Sequence, residues 1–265
     1  MRARGLVLCS VLTLLSGPDA RAEDIVGQVT GAGRVALARM MPARVEPSRW
    51  DPDMTYTEGL GRIGLAVPVI RRSILDPRYD ADDRRELAAA MRDFLTPAIV
   101  EEHYCGVSHV AERLFTHHDR YILQLEMYLA DQGLSRFLPL PYWEAGGPIP
   151  PEFTTPVGRA EEVRLPEGFY RLIQAKPDQF RFPEVCRYNT DQELARAIDG
   201  WHGGVHSTLG GCMGDFRTAS ATPLFWLWHA YVSQTREEWK RCPGVNPSTY
   251  NPAPAGTRPP LGCRP

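Results

Sequence analysis

Trp201-His202-Gly203-Gly204-Val205-His206, followed by Gly210-Gly211-Cys212-Met213 and then by Pro223-Leu224-Phe225-Trp226-Leu227-Trp228-His229-Ala230, is the stretch that decides the fold. Two histidines four apart on a helix project from one face about one turn apart, so their imidazoles can converge on one ion. His229, on a separate and strongly apolar helix, supplies a third nitrogen. Upstream, Thr190-Asp191-Gln192-Glu193 has the pattern of a capping box. The helix it opens carries Leu194, Ile198 and Trp201 on its buried face and delivers His202 and His206. Thr222-Pro223 places a cap before a proline at the first helical position, so Leu224 to Trp239 forms the last helix.

Working outward, Leu87, Met91, Phe94 and Leu95 recur at helical spacing after an acidic start, which predicts a helix over 80–95. Thr96-Pro97 opens a second helix running into His103, and a third is predicted over 118–130. In the third, Ile122, Leu125 and Leu129 form a stripe with His118 at its head. Residues 138–183 are rich in proline and glycine, without a sustained period, and read as a long irregular excursion. Residues 23–79 give only short apolar runs. The expectation is a mainly α protein, a helical bundle core of four-helix type with long irregular loops.

The 265 residues, 43% apolar and 23% charged, suit one domain with a sizeable core. A net charge of -2 offers no attraction to nucleic acid or to a membrane surface. Met1 to Ala22 has a basic start, an apolar run too short to span a bilayer and a small-x-small cleavage site. It reads as a signal peptide (1–22), so the mature chain is expected to be secreted or periplasmic. Five cysteines then remain, and an odd number leaves at least one without a cysteine partner. Cys242 with Cys263 is a candidate bridge for the Pro-rich tail, 243–265, although sequence does not fix the pairing.

All seven histidines fall in two groups: His103, His109, His117 and His118, then His202, His206 and His229. Neutral imidazole suits copper, zinc, iron and nickel, and the absence of Asp-rich or Cys-rich spacing argues against calcium, magnesium or iron-sulfur clusters. His109, Phe115, His118, Arg120-Tyr121-Ile122-Leu123 and Glu126 resemble the first copper motif of the tyrosinase and catechol oxidase family, the type-3 copper proteins. Leu140-Pro141-Tyr142-Trp143 is similar to that family's Leu-Pro-Tyr-Trp-Asp segment. His202 to Met213 and Phe225 to Val232 resemble its second copper motif, so the likeness runs over about 80–242.

That resemblance implies a dicopper domain over 23–242 with two copper ions, a dinuclear type-3 centre. It places the first copper on His103, His109 and His118 and the second on His202, His206 and His229, with His117 as a neighbour where the family usually has Trp. It implies an oxidoreductase whose partners are a phenolic small molecule and O2, with a copper chaperone as an additional candidate partner. Tyrosinases usually carry Asn where this chain has Gly203, as many catechol oxidases do, so oxidation of o-diphenols to quinones is the expected activity, with monophenols and o-aminophenols left open. Glu193 stands about where the family places a water-holding carboxylate, but it is also the fourth residue of the capping box. Phe216 falls where the family often overhangs the second copper, and Cys105 lies close to His103 and His109.

The chain also departs from the family pattern. Asp119 stands in place of Arg, Glu144 of Asp, Thr222 of Asp, Trp228 of His and Ser233 of Asp, all beside the ligands and caps rather than at them. A short reach beyond the last copper helix, with no further domain to plug the site, is expected to leave it open as synthesised. The rival expectation is a non-catalytic dicopper protein that binds oxygen or copper without turnover. A relative that has lost copper altogether and serves as a binding module is the third.

Overall fold

Asp80, Thr190 and Thr222 each begin a helix in the computed structural model, which describes residues 54–105, 111–158 and 169–247. Among the described residues there are six α-helices and a set of short 3-10 turns, with no β-strand. The helices are α1 (Tyr56–Arg62), α2 (Ala81–Phe94), α3 (Pro97–Cys105), α4 (Leu114–Asp131), α5 (Asp191–Leu209) and α6 (Pro223–Trp239). His109, the signal segment 1–22 and residues 248–265 of the tail lie outside the described residues.

Local chemistry explains where these helices start. The Asp80 carboxylate accepts from the N–H groups of Asp82 and Asp83, both at 2.8 Å, satisfying two donors that a helix start leaves unpaired. α1 was not expected from the apolar pattern, yet it has a full capping box. Glu58 N–H donates to Thr55 Oγ1 at 3.3 Å, and Glu58 Oε2 accepts from Thr55 N–H at 2.8 Å. Its Tyr56 and Leu60 pack with Leu123 and Met127 of α4. At α5 the Thr190 hydroxyl accepts from Glu193 N–H at 3.2 Å, while the Glu193 carboxylate takes the N–H of Asn189 at 2.8 Å. Thr222 does not cap α6 with its side chain; its hydroxyl donates to the Phe153 carbonyl at 3.0 Å, and Pro223 fixes the first turn.

In α6 every residue but Gln234 and Glu238 is buried, which makes it the central helix rather than one face of the surface. It packs on α2, α4 and α5, and α4 packs in turn on α2 and α5, so these four helices form the bundle, with α1 laid against α4. Between α4 and α5 the described residues make short 3-10 turns and an isolated β-bridge from Tyr142 to Ser73, tied to the bundle through the fully buried Trp143, whose backbone N–H donates to the Leu227 carbonyl at 3.0 Å.

One covalent expectation is corrected. Cys242 is bonded to Cys186, not to Cys263, so the disulfide joins the short turn Glu184–Arg187, just after the long excursion, to the third residue beyond α6. Sequence spacing carried no information on this pairing, because the two cysteines are 56 residues apart and meet only through the packing of α5 and α6. No described helix is long and apolar enough to cross a membrane.

Candidate metal centre

Two groups of three histidines come together in the bundle core. The ligand atoms of His103, His117 and His118 lie within 4.8 Å of one another, and so do those of His202, His206 and His229. His103 comes from α3, His117 and His118 from α4, His202 and His206 from α5, and His229 from α6. The groups adjoin: the His118 and His229 rings stack with centroids 3.8 Å apart and planes 10° from parallel. The first group is buried, whereas His202 and His206 are half-buried.

Hydrogen bonds set which ring nitrogen faces inward. A carbonyl oxygen only accepts, so His118 Nδ1–H donates to Leu114 O at 2.7 Å and His206 Nδ1–H donates to Met213 O at 2.9 Å. His103 Nδ1–H likewise donates to Phe216 O at 3.2 Å. In a neutral imidazole the other nitrogen then carries a lone pair. The Nε2 atoms of His103 and His118 therefore meet lone pair to lone pair at 3.4 Å, and His206 Nε2 points at His229 Nε2 at 3.1 Å. The opposed lone pairs of His103 and His118 repel unless a cation lies between them, whereas a neutral His229, its Nδ1 unpartnered, can donate Nε2–H to His206.

A proton would be a poor substitute for a metal here. Burial holds the His229 imidazole well below the ordinary histidine range, and the neighbouring His118, His202, His206 and His103 lower it further. Neutral imidazoles whose second nitrogen is already engaged, as at His103, His118 and His206, are in the form that binds copper or zinc. The donor set fits a pair of such ions.

The turn after α5 is built for this purpose. Gly210 and Gly211 have φ of 61° and 51°, which a side chain rarely allows, and the reversal they make brings the Met213 carbonyl onto His206.

Other residues singled out in the sequence fall in different places. Gly203 sits beside His202 on α5, and a Cβ added there meets nothing within 4 Å. Glu193 is exposed in the first turn of that helix, nine residues before His202, or about 14 Å along the axis. Its carboxylate takes the Asn189 N–H, the capping role that the sequence offered beside the water-holding one. Phe216 is 51% exposed, with its ring against Tyr104 at 5.2 Å and its carbonyl accepting from His103 Nδ1–H at 3.2 Å, beside the first group. His117, expected to be a neighbour, converges with His103 and His118. The signal for it was its adjacency to His118, set aside because the resemblance places Trp at that position.

Fold and centre together define a helical protein with two histidine triads able to hold two metal ions. Residues 159–242 match the model of the common central domain of tyrosinase, and that match supports membership of the tyrosinase family. It takes in α5 and α6, hence His202, His206 and His229, and stops short of α3 and α4. No curated protein and no solved structure matches the chain. A tyrosinase domain with these triads points to a type-3 copper protein of an oxidoreductase family.

Proposed function

We propose that the protein is an exported dicopper oxidase that converts o-diphenols to o-quinones with O2. The observation that carries this reading is the inward-facing Nε2 set, fixed by backbone carbonyls at His103, His118 and His206. His103, His109 and His118 would hold the first copper and His202, His206 and His229 the second. Copper so bound supplies reversible one-electron chemistry, which lets two diphenols give up four electrons and four protons to one O2, forming two quinones and two waters. The chain's own part is to keep His229 neutral, to aim His103, His118 and His206 through backbone carbonyls, and to keep bulk water from the buried first group.

Gly203 supports a preference for diphenols. A diphenol needs no separate base to be oxidised at such a site, and neither Gly203 nor the cap-bound Glu193 furnishes one for a monophenol. The Cys186–Cys242 disulfide supports an oxidising compartment, consistent with a signal peptide and a secreted or periplasmic protein. Oxygen uptake by the copper-loaded mature protein tests the reading, with copper assayed alongside. Two coppers per chain and uptake with catechol but not with a simple monophenol are expected. Two coppers with no uptake on any phenol would favour the non-catalytic oxygen-binding protein.

A further inference from the structure

Arg236 lies in the packed core, with its side chain 1% exposed, and holds two acids at once. Its Nε donates to Asp191 Oδ1 at 2.6 Å and its Nη1 to Asp119 Oδ2 at 3.1 Å. Both carboxylates are as buried as the guanidinium, at 3% and 1% exposed. The guanidinium carbon also sits 5.7 Å from the Phe115 ring centroid, one turn before Asp119. Three helices meet at this one planar group. Asp119 follows His118 on α4, Asp191 opens the helix that carries His202 and His206, and Arg236 stands seven residues beyond His229 on α6, nearly in line with it two turns further on.

We infer that Arg236, with Asp119 and Asp191, is a positioning clamp that sets the separation and mutual orientation of the two histidine triads. The inference rests on reading the triads as two metal sites. A fork of fixed geometry can hold two carboxylates at defined distances, which a flexible lysine cannot. In the low dielectric of the core the three charges are worth having only together, because each removed partner leaves a buried charge exposed to its neighbours. Two of the departures from the family pattern lie at or near this cluster. This chain has Asp119 where Arg is common and Ser233 where Asp is common, and it recruits its cation three residues beyond Ser233, at Arg236. Arg236 joins α4 to α6 next to His118.

Two variants test the clamp: Asp119→Asn, which keeps shape and removes one charge, and Arg236→Lys, which keeps charge and removes the fork. The readouts are helical circular dichroism, copper bound per chain by titration, and the electron paramagnetic resonance of the cupric protein, in which two closely coupled ions are silent. Both variants are expected to keep wild-type helix content. Copper affinity should fall about 10- to 100-fold, the range for losing a group that orients metal ligands, and the resonance of uncoupled cupric ions should emerge. Asp119→Glu should restore part of the coupling. If Arg236→Lys fails to fold, Asp119→Asn alone decides. Folded variants with unchanged affinity and silent copper overturn the clamp. Wild-type protein that binds two coupled coppers but turns over no phenol overturns the oxidase reading and leaves the clamp standing; wild-type protein that takes up no copper overturns both.

Discussion

Replacing His109 and His117 by alanine, one at a time, separates two ligand sets for the first metal. Family resemblance assigns His109, while the described geometry brings His117 within ligand range of His103 and His118. Adjacent helical residues leave the axis about 100° apart, and the Leu114 carbonyl holds His118 in its aim independently of His117. His109→Ala is therefore expected to reduce bound copper from two per chain to one, and His117→Ala to keep two with affinity weakened about tenfold at most. The reverse result in a copper titration would exchange the two residues. Beside the second triad, Gly203→Asn should fold normally, since a Cβ there meets no neighbour within 4 Å and asparagine is a better helix former than glycine. It should gain no monophenol turnover, because the Glu193 carboxylate stays on Asn189 N–H at the far end of the helix. Appearance of monophenol uptake would mean that another base reaches the site.

At the scale of elements, the disulfide makes the largest single-bond prediction. Closing a loop over 56 residues removes enough unfolded-chain entropy to stabilise the fold by about 4 kcal/mol in the chain-entropy model. Cys186→Ser is expected to lower the denaturation midpoint accordingly while leaving copper stoichiometry at two, because neither cysteine is in the histidine groups. Loss of copper together with the bridge would show that it also shapes the centre. The contrast between this bond and the helices marks what the sequence could disclose. α2, α3, α5 and α6 were legible because their starts are local: a capping acid or threonine, a proline, and apolar residues at period 3.6. α1 has the same kind of start at Thr55 and Glu58, but its seven residues hold too few apolar positions to show a period. His202, His206 and His229 were legible by spacing and helix type. The Cys186–Cys242 pairing and the Arg236 clamp were not, since each joins residues far apart in the chain whose meeting depends on how the helices pack.

For the whole molecule, the histidine centre ties stability to acidity and to metal. The native fold keeps His229 neutral, whereas the unfolded chain lets it ionise near its ordinary value of 6.5. Below that value the unfolded state binds a proton that the native state refuses, so stability falls as pH drops from about 6.5 toward the depressed native value. The slope from this one group approaches about 1.4 kcal/mol per pH unit within that window and vanishes above it. Thermal unfolding of the metal-free protein should accordingly be steady between pH 7.5 and 8.5 and should weaken from pH 6.5 downward. His229→Gln, which has nothing to protonate, should lose its share of that slope. Copper acts in the opposite sense, because it binds the folded histidines and not a dispersed chain. A free concentration a hundredfold above its dissociation constant adds about 2.7 kcal/mol per site. Because His229 is already neutral in the native state, its protonation does not oppose copper until pH falls below the depressed native value. Copper should therefore raise the unfolding temperature at pH 6 nearly as much as at pH 8 as far as this residue is concerned. If the copper effect on His229-dependent stability collapsed at pH 6.5, the imidazole would be ionising in the native fold, and the burial that holds it neutral would not be what prepares the second triad for metal.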